Sequence, residues 1–482
     1  MRSSRYRTKT KEGENSNKLE RGLFFAFLAL LVWMPLPLAS NRYWAWSIAE
    51  VWVFLICIGL CLIYWRGQLS LTPVLLKTKP LMVLMGIWIG LLLLQLLPLP
   101  PFIIELLSPT RFENYTAVHS QGQWFPLTEN LFASITFFLK SMSYVLVFII
   151  TLLLVNSRER VKWLAWALIY SALFQAMYGS IMTLSGLEYG FFVKKYAYIG
   201  NATGTFINRN HLAGYLNMAL AMAIGLLIAG IKKDEVLRTV RQWVRKITQL
   251  LLSRKAQLRI YIAVMTVALV LTHSRMGNIA FFISLTVTAL LSLWLSSHAK
   301  RLMAILVISI IVIDVLIVST WFGLEKVAER LEKTSVETET RYEVAQATLG
   351  YWQDYLLFGS GAGTYQYVFP KYRTPDISSF YNHAHNDVLQ LASETGLVGI
   401  LLLVSIVLYS WFTAIRAMAL RRDPLSIGLA FAATMGILAL SIHSFVDFNH
   451  QIPANAATFM VILALAWIAR FQFNHEERRN DG

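Results

Sequence analysis

The sequence predicts an all-α, polytopic membrane protein, and three observations lead there. Of 482 residues, 56% are apolar and only 15% charged, against about 45–50% and about 25% in soluble domains. Apolar runs able to cross about 30 Å of hydrocarbon, roughly 17–25 residues each, recur along the chain. The segments between them alternate between rich and poor in Lys and Arg. This composition excludes a disordered chain, a coiled coil and a small disulfide scaffold. Backbone polar groups in lipid must be paired within the segment, so each run reads as a helix.

About twelve runs qualify, near 22–40, 44–65, 81–104, 134–155, 161–184, 212–230, 258–273, 277–297, 302–322, 396–415, 425–442 and 454–471. The first follows a basic tail (1–21) and is succeeded at once by a second run. It therefore reads as an uncleaved anchor, although Ala39-Ser40 resembles a processing site. The organisation expected is a cytoplasmic tail at 1–21, spans one to nine within 22–322 and a long loop at 323–395. Spans ten to twelve follow within 396–471, then a second tail at 472–482. Cys57 and Cys61 share one apolar run and lack any zinc context, so both read as packing residues.

The chain holds 43 Lys and Arg against 27 Asp and Glu, a formal charge of +16. With the N-terminus placed in the cytoplasm, 30 of the 43 basic residues fall in inside segments. The charge then reads as a topology signal with both termini cytoplasmic, rather than a nucleic-acid surface. The stretch Lys232 to Arg259, with Trp243 and Leu250-Leu251-Leu252, reads as an amphipathic helix on the anionic inner leaflet.

The opposite, outer face collects the chemistry. Segment 323–395 is the longest between spans. It contains a mixed-charge stretch, a Gly-rich turn with Gly359, Gly361 and Gly363, and Asn382-His383-Ala384-His385-Asn386-Asp387 before span ten. Such a loop is more often functional than a spacer. Arg209, Asn210 and His211 start span six, Arg275 lies in the hairpin between spans seven and eight, and His443, Asp447 and His450 lie around the turn before span twelve. Polar groups at this boundary should face a bundle interior or a wet cavity.

Arg275 and Arg209 have two readings: a bidentate cation for a phosphate or diphosphate, or a side chain snorkelling to headgroups. Asn208, Asn210 and His211 either orient a polar ligand or cap span six. His385 is the general-base candidate, its neutral ring able to take a hydroxyl proton, with Asn386 and Asp387 able to orient it. A metal reading of His383, His385 and Asp387 finds no further convincing partner by spacing, so no metal is expected. The glycine turn lacks the Lys-Ser/Thr of a P-loop and reads as a close backbone approach. Asp314 and Lys140, inside spans nine and four, read as a structural pair or as part of a proton or substrate path, and Glu394 and Asp447 as partners of outer-face Arg or His. Tyr365, Tyr367, Tyr372, Phe380 and Tyr381 either stack on sugars or pack the loop.

Together these pieces resemble the O-antigen ligase and O-antigen polymerase superfamily. Its motif is His, then Asn, Ser or Gln, nine residues, Gly, two residues, then Gly, Thr or Tyr. His385, Asn386, Gly396 and Gly399 match that spacing in full. Gly204-Thr205-Phe206 with Asn210 to Tyr215, Ser274-Arg275-x-Gly277, and Asp447-Phe448 before Pro453 are similar to further family segments. The resemblance covers roughly 190–460; Arg209 departs from it, since many relatives carry a small residue or Pro there.

The resemblance implies a GT-C-like glycosyltransferase of a bacterial inner membrane, with its active face in the periplasm and no cofactor. Its donor would be an undecaprenyl-diphosphate-linked glycan, and its acceptor a hydroxyl of a second lipid-linked glycan or of lipid A core. By the same resemblance His385 would deprotonate the acceptor, while Arg209 and Arg275 hold the diphosphate. Substrate contacts would come from Asn386, His211, Asn210, Gly361, Gly363, Tyr365 and Asp447. Partners are membrane lipids and, for a polymerase, a chain-length regulator; nucleic acid is not expected. Polymerisation of O-antigen or exopolysaccharide repeats is the leading expectation, ahead of ligation to lipid A core and protein O-glycosylation. A transporter or flippase is the alternative of another class, and it would want charges at mid-membrane and paired broken helices.

Overall fold

The computed structural model describes residues 2–69, 72–118, 122–230, 254–295, 308, 312, 342–375, 377 and 380–473. The protein is an all-α polytopic membrane protein. Its long helices, in chain order, are α1 (Arg2–Trp33), α2 (Tyr43–Trp65), α3 (Lys79–Leu96), α4 (Leu131–Leu154), α5 (Arg158–Leu184) and α6 (Arg209–Ala229). They continue with α7 (Arg254–Leu271), α8 (Arg275–Leu295), α9 (342–354), α10 (Asp387–Leu420), α11 (Pro424–Ser444) and α12 (Pro453–Phe471). Among the described residues nine of these are long and apolar enough to cross a membrane. Two antiparallel pairs of two-residue strands trim the connections: Pro98–Leu99 with Phe125–Pro126, and Tyr189–Gly190 with Val193–Lys194.

Local chemistry sets the helix ends. Asn130, Ser157 and Asp423 cap α4, α5 and α11 by accepting from Ala133, Arg160 and Ser426 backbone N–H groups. α1 ends at Trp33 rather than near 40, because Pro35 and Pro37 cannot donate and a 3-10 turn (Leu38–Ser40) follows. α3 ends at Leu96, not 104, before Pro98, Pro100 and Pro101; Pro101–Leu107 is a separate short helix. The expected span nine with Asp314, most of the basic stretch 232–259 and most of the mixed-charge stretch lie outside the described residues.

The helices form a core and a shell. In α6, α11 and α12 the apolar windows are 89%, 83% and 83% buried, against 28% in α2 and α10 and 33% in α3. The inner three therefore pack against protein on nearly every side, and the outer ones present apolar faces to lipid. α6 and α11 approach closely where Gly225 meets Gly428; a methyl at either would overlap the other's backbone. Lys140 of α4 has its ammonium 3.4 Å from the Trp46 ring centre, with the Glu50 carboxylate of α2 acting on it. Cys57 is half-buried while Cys61 faces outward, so only the first packs inside the bundle. Because successive spans alternate in direction, the starts of α6, α8, α10 and α12 and the ends of α7 and α11 share one end of the bundle.

Candidate active site

α10 begins at Asp387, nine residues before the expected start, and this extension carries the site. Asn386, with extended backbone, accepts from Leu389 N at 3.0 Å through its side-chain oxygen and so caps the helix. His385, just before it, has φ +51°, a left-handed conformation uncommon outside glycine. Further along, the helix is interrupted at Gly396 (φ 68°, ψ −173°), a region open essentially to glycine alone. The Gly-rich turn crosses α10 at this break. Leu397 N and Val398 N donate to Leu356 and Leu357 O, while Ser360 N and Gly361 N donate to Ser393 and Glu394 O. A methyl on Gly359 would overlap Glu394 backbone, and one on Gly396 would overlap Leu357 backbone. The motif glycine thus answers to a chain crossing.

At that crossing three of the expected substrate contacts pack against protein. A side chain at Gly361 would overlap Thr128, and one at Gly363 would press on Ala133 O. Tyr365 is 1% exposed, stacks on Phe369 with ring centres 4.9 Å apart and shares a 2.8 Å hydrogen bond with Thr348. All three face protein. The loop aromatics mostly pack together as well: Tyr351 stacks on Tyr372 at 5.2 Å. Glu394 pairs with neither Arg nor His among the described residues; its carboxylate accepts from Tyr365 N (3.0 Å) and Gln390 Nε2 (3.3 Å).

The residues that do converge surround Asp447. This carboxylate is fully buried and accepts from Asn210 Nδ2 of α6. Its Oδ1 lies 3.6 Å from His211 Nε2 and 3.5 Å from His385 Nδ1. Burial alone would raise the Asp447 carboxyl, but hydrogen bonding and charge from His211 and His385 hold it well below the usual carboxylate range. The Phe448 ring lies between three imidazoles, 4.5 Å from His211, 4.3 Å from His383 and 4.8 Å from His385. Desolvation, followed by the neighbouring His211, pushes His383 down to about 3, so its ring stays neutral. His211 is 3% exposed, so it backs Asp447 from inside, whereas His385 keeps a quarter of its side chain accessible. A second pair stands beside the first: Asp387 Oδ2 accepts from His450 N (2.9 Å) and lies 3.2 Å from His450 Nδ1.

The arginines occupy the adjoining corner. Arg209 starts α6, capped by Asn208, and donates to Asn201 Oδ1 at 2.8 Å. The same oxygen lies 3.1 Å from His273 Nδ1, in the hairpin that ends at Arg275. Arg275 is exposed at the first position of α8. Asn201 thus ties the two arginine-bearing segments together.

Sequence reasoning missed Gln95, Glu129 and Asn201. Gln95 of α3 is buried, donates to Phe358 and Glu394 O, and accepts from Ala362 N, stitching the glycine turn to the bundle. Glu129 binds Arg111 (2.7 Å) and Tyr355, and its N–H donates to Ser360 O. Only the Gln inside an apolar run carried a local signal; the others are unremarkable loop residues in sequence.

Chemically, a buried carboxylate behind a partly accessible imidazole favours the tautomer with the proton on Nδ1. That leaves Nε2 able to accept a proton. Distances near 3.5 Å are long for a hydrogen bond, and such catalytic contacts tighten when substrate binds. Among the described residues no group of three or more His, Cys, Asp or Glu is disposed to hold a metal.

No curated protein matches the chain. A family model described as O-antigen ligase matches residues 260–404, a segment that holds Arg275, the glycine turn, His385, Asn386 and Gly396. Arg209, His211 and Asp447 lie outside it. Over that segment, about a third of the chain, the protein is similar to the O-antigen ligase family, and the match supports the resemblance to the O-antigen ligase and polymerase superfamily.

Proposed function

We propose that this protein is a membrane glycosyltransferase that moves an undecaprenyl-diphosphate-linked glycan onto an acceptor hydroxyl at the periplasmic face, polymerising O-antigen or exopolysaccharide repeats. The family supports an enzyme acting on lipid-linked glycan donor and acceptor substrates. The observation that carries the chemistry is the His385–Asp447 pair at the start of α10. In this reading His385 Nε2 takes the acceptor proton as the acceptor oxygen bonds to the donor's anomeric carbon. The bond from that carbon to the diphosphate breaks, and the lipid diphosphate leaves. Arg209 and Arg275 neutralise the charge that develops on it. Asp447 stabilises the imidazolium formed.

The test is transfer by purified protein in lipid nanodiscs supplied with an undecaprenyl-diphosphate-linked repeat unit. Wild type should yield a ladder of lengthening glycans, and His385→Ala should lower the rate by about 10²-fold or more. Wild-type rates in that variant would remove His385 as the base. A single transfer onto lipid A core, without a ladder, would make the protein a ligase.

A further inference from the structure

A cavity of about 340 Å³ lies between α3, α4, α10, α11 and α12, within the range of small-molecule sites. Its walls are apolar through most of its length, with Trp88, Leu391, Leu403, Val407 and Met460 among them. It follows α10 from Asp387 to Leu408, about 30 Å at helical rise. Polar groups gather at its α10-start end, where Asp387, Ser444, His450 and Gln451 line it, and Lys140, Ser141 and Tyr144 of α4 add a cation and two hydroxyls to the wall. That end adjoins the candidate site, since Asp387 is two residues from His385 and its N–H donates to Asp447 O at 3.2 Å. Asp387 Oδ1 is buried and has no partner among the described residues. It is thus an acceptor for a hydroxyl. Along the flank, Val404, Leu408 and Phe445 line the cavity yet are 41%, 43% and 59% exposed, so it opens sideways at apolar positions of a shell helix. No residue of α6 or α8, which carry Arg209 and Arg275, lines it.

We propose that this cavity holds the single isoprenoid chain of a second lipid-linked glycan, so that two lipid substrates reach His385 from opposite flanks: one on the Arg209–Arg275 side of α11, the other through this cavity. The inference rests on the proposed glycosyl transfer. It extends that reading by giving the acceptor its own lipid site, its chain entering laterally past Val404 and its glycan meeting Asp387 at the polar end.

The probe is undecaprenyl phosphate carrying a mid-chain diazirine, photolysed with the full chain in phosphatidylethanolamine–phosphatidylglycerol nanodiscs, with labelled residues mapped by mass spectrometry. Labels are expected on Leu391, Leu403, Val407 and Met460, and Val404→Trp at the exposed lip should reduce them at least tenfold. Leu403→Phe gives a second, interior block, and Ile283→Trp, exposed on α8, should leave labelling unchanged. Labelling confined to α8 or other shell faces, or unaltered by both blocking variants, would overturn the proposal. So would competition by excess two-chain phospholipid as effective as by unlabelled undecaprenyl phosphate. His385→Ala should keep the labels while losing transfer. Labels on the wild-type protein with no wild-type transfer would sink the enzymatic reading alone, and wild-type transfer without cavity labels would sink the second lipid site alone.

Discussion

Asp447 is enclosed by protein, and its charge is offset by imidazoles from two distant parts of the chain. Its carboxyl is held well below the ordinary range, which favours the ionised form. Asp447→Asn preserves the shape and removes the charge, so transfer should fall by about 10²-fold or more while the protein still inserts. An unimpaired rate in that variant would show that Asp447 only fills space. Arg275→Lys keeps the charge and loses the planar fork. Its kcat/KM for the lipid-linked donor should drop by about tenfold or more, and an unchanged value would return Arg275 to a topology role. At this scale the chemistry-bearing residues were legible as residue types, since His385 and the arginines stand out against apolar surroundings. Their partners were not: pairing between His211, His385 and Asp447 depends on side chains 62 or more positions apart in sequence meeting at one carboxylate.

The element that organises the site is α10, a helix broken at Gly396 and crossed there by the turn 356–363. Gly396→Ala would place a methyl against Leu357 backbone in a glycine-only conformation, at a strain of about 1–3 kcal/mol before the overlap is counted. The thermal unfolding midpoint of the detergent-purified variant should fall by several degrees; an unchanged midpoint would mean that the crossing is slack. His383, capped under Phe448 just before α10, gives the element a pH dependence. Its folded-state value is about 3 against an ordinary 6.5. The unfolded chain therefore binds the extra proton below about 6.5. Stability contributed by His383 is complete above that pH, declines as pH falls and levels off near 3. The midpoint should be lower at pH 5 than at pH 7.5, and His383→Gln should reduce the difference; a difference of equal size would assign it to other groups. The spacing from His385 to Gly396 was visible in sequence. Its cause was not, because the chain that meets Gly396 lies about 40 residues upstream.

Across the whole molecule, a core of α6, α11 and α12 sits inside a shell of lipid-facing helices, with the His385–Asp447 site at one end. The charge bias of the connecting segments predicts that this end faces the periplasm. A cysteine placed at Asn382, which is exposed, in a protein with Cys57 and Cys61 replaced by Ser, should react with an impermeant maleimide in intact spheroplasts; labelling only after lysis would reverse the orientation. Composition and run length alone determined that the chain is helical and multi-spanning, because a backbone in hydrocarbon has few ways to satisfy its polar groups. They did not determine which spans lie inside, because a lipid-facing helix and a helix-facing helix are both apolar throughout. The start of α10 was likewise misplaced, since residues 387–395 are too polar to read as membrane and become helical on a cap and a chain crossing. Only tertiary structure decided that the glycines and Tyr365 pack against protein, that Asn386 caps α10 and that His385 stands against a buried carboxylate. Those outcomes depend on which distant backbone and side chains arrive at the same point, information that no local pattern carries.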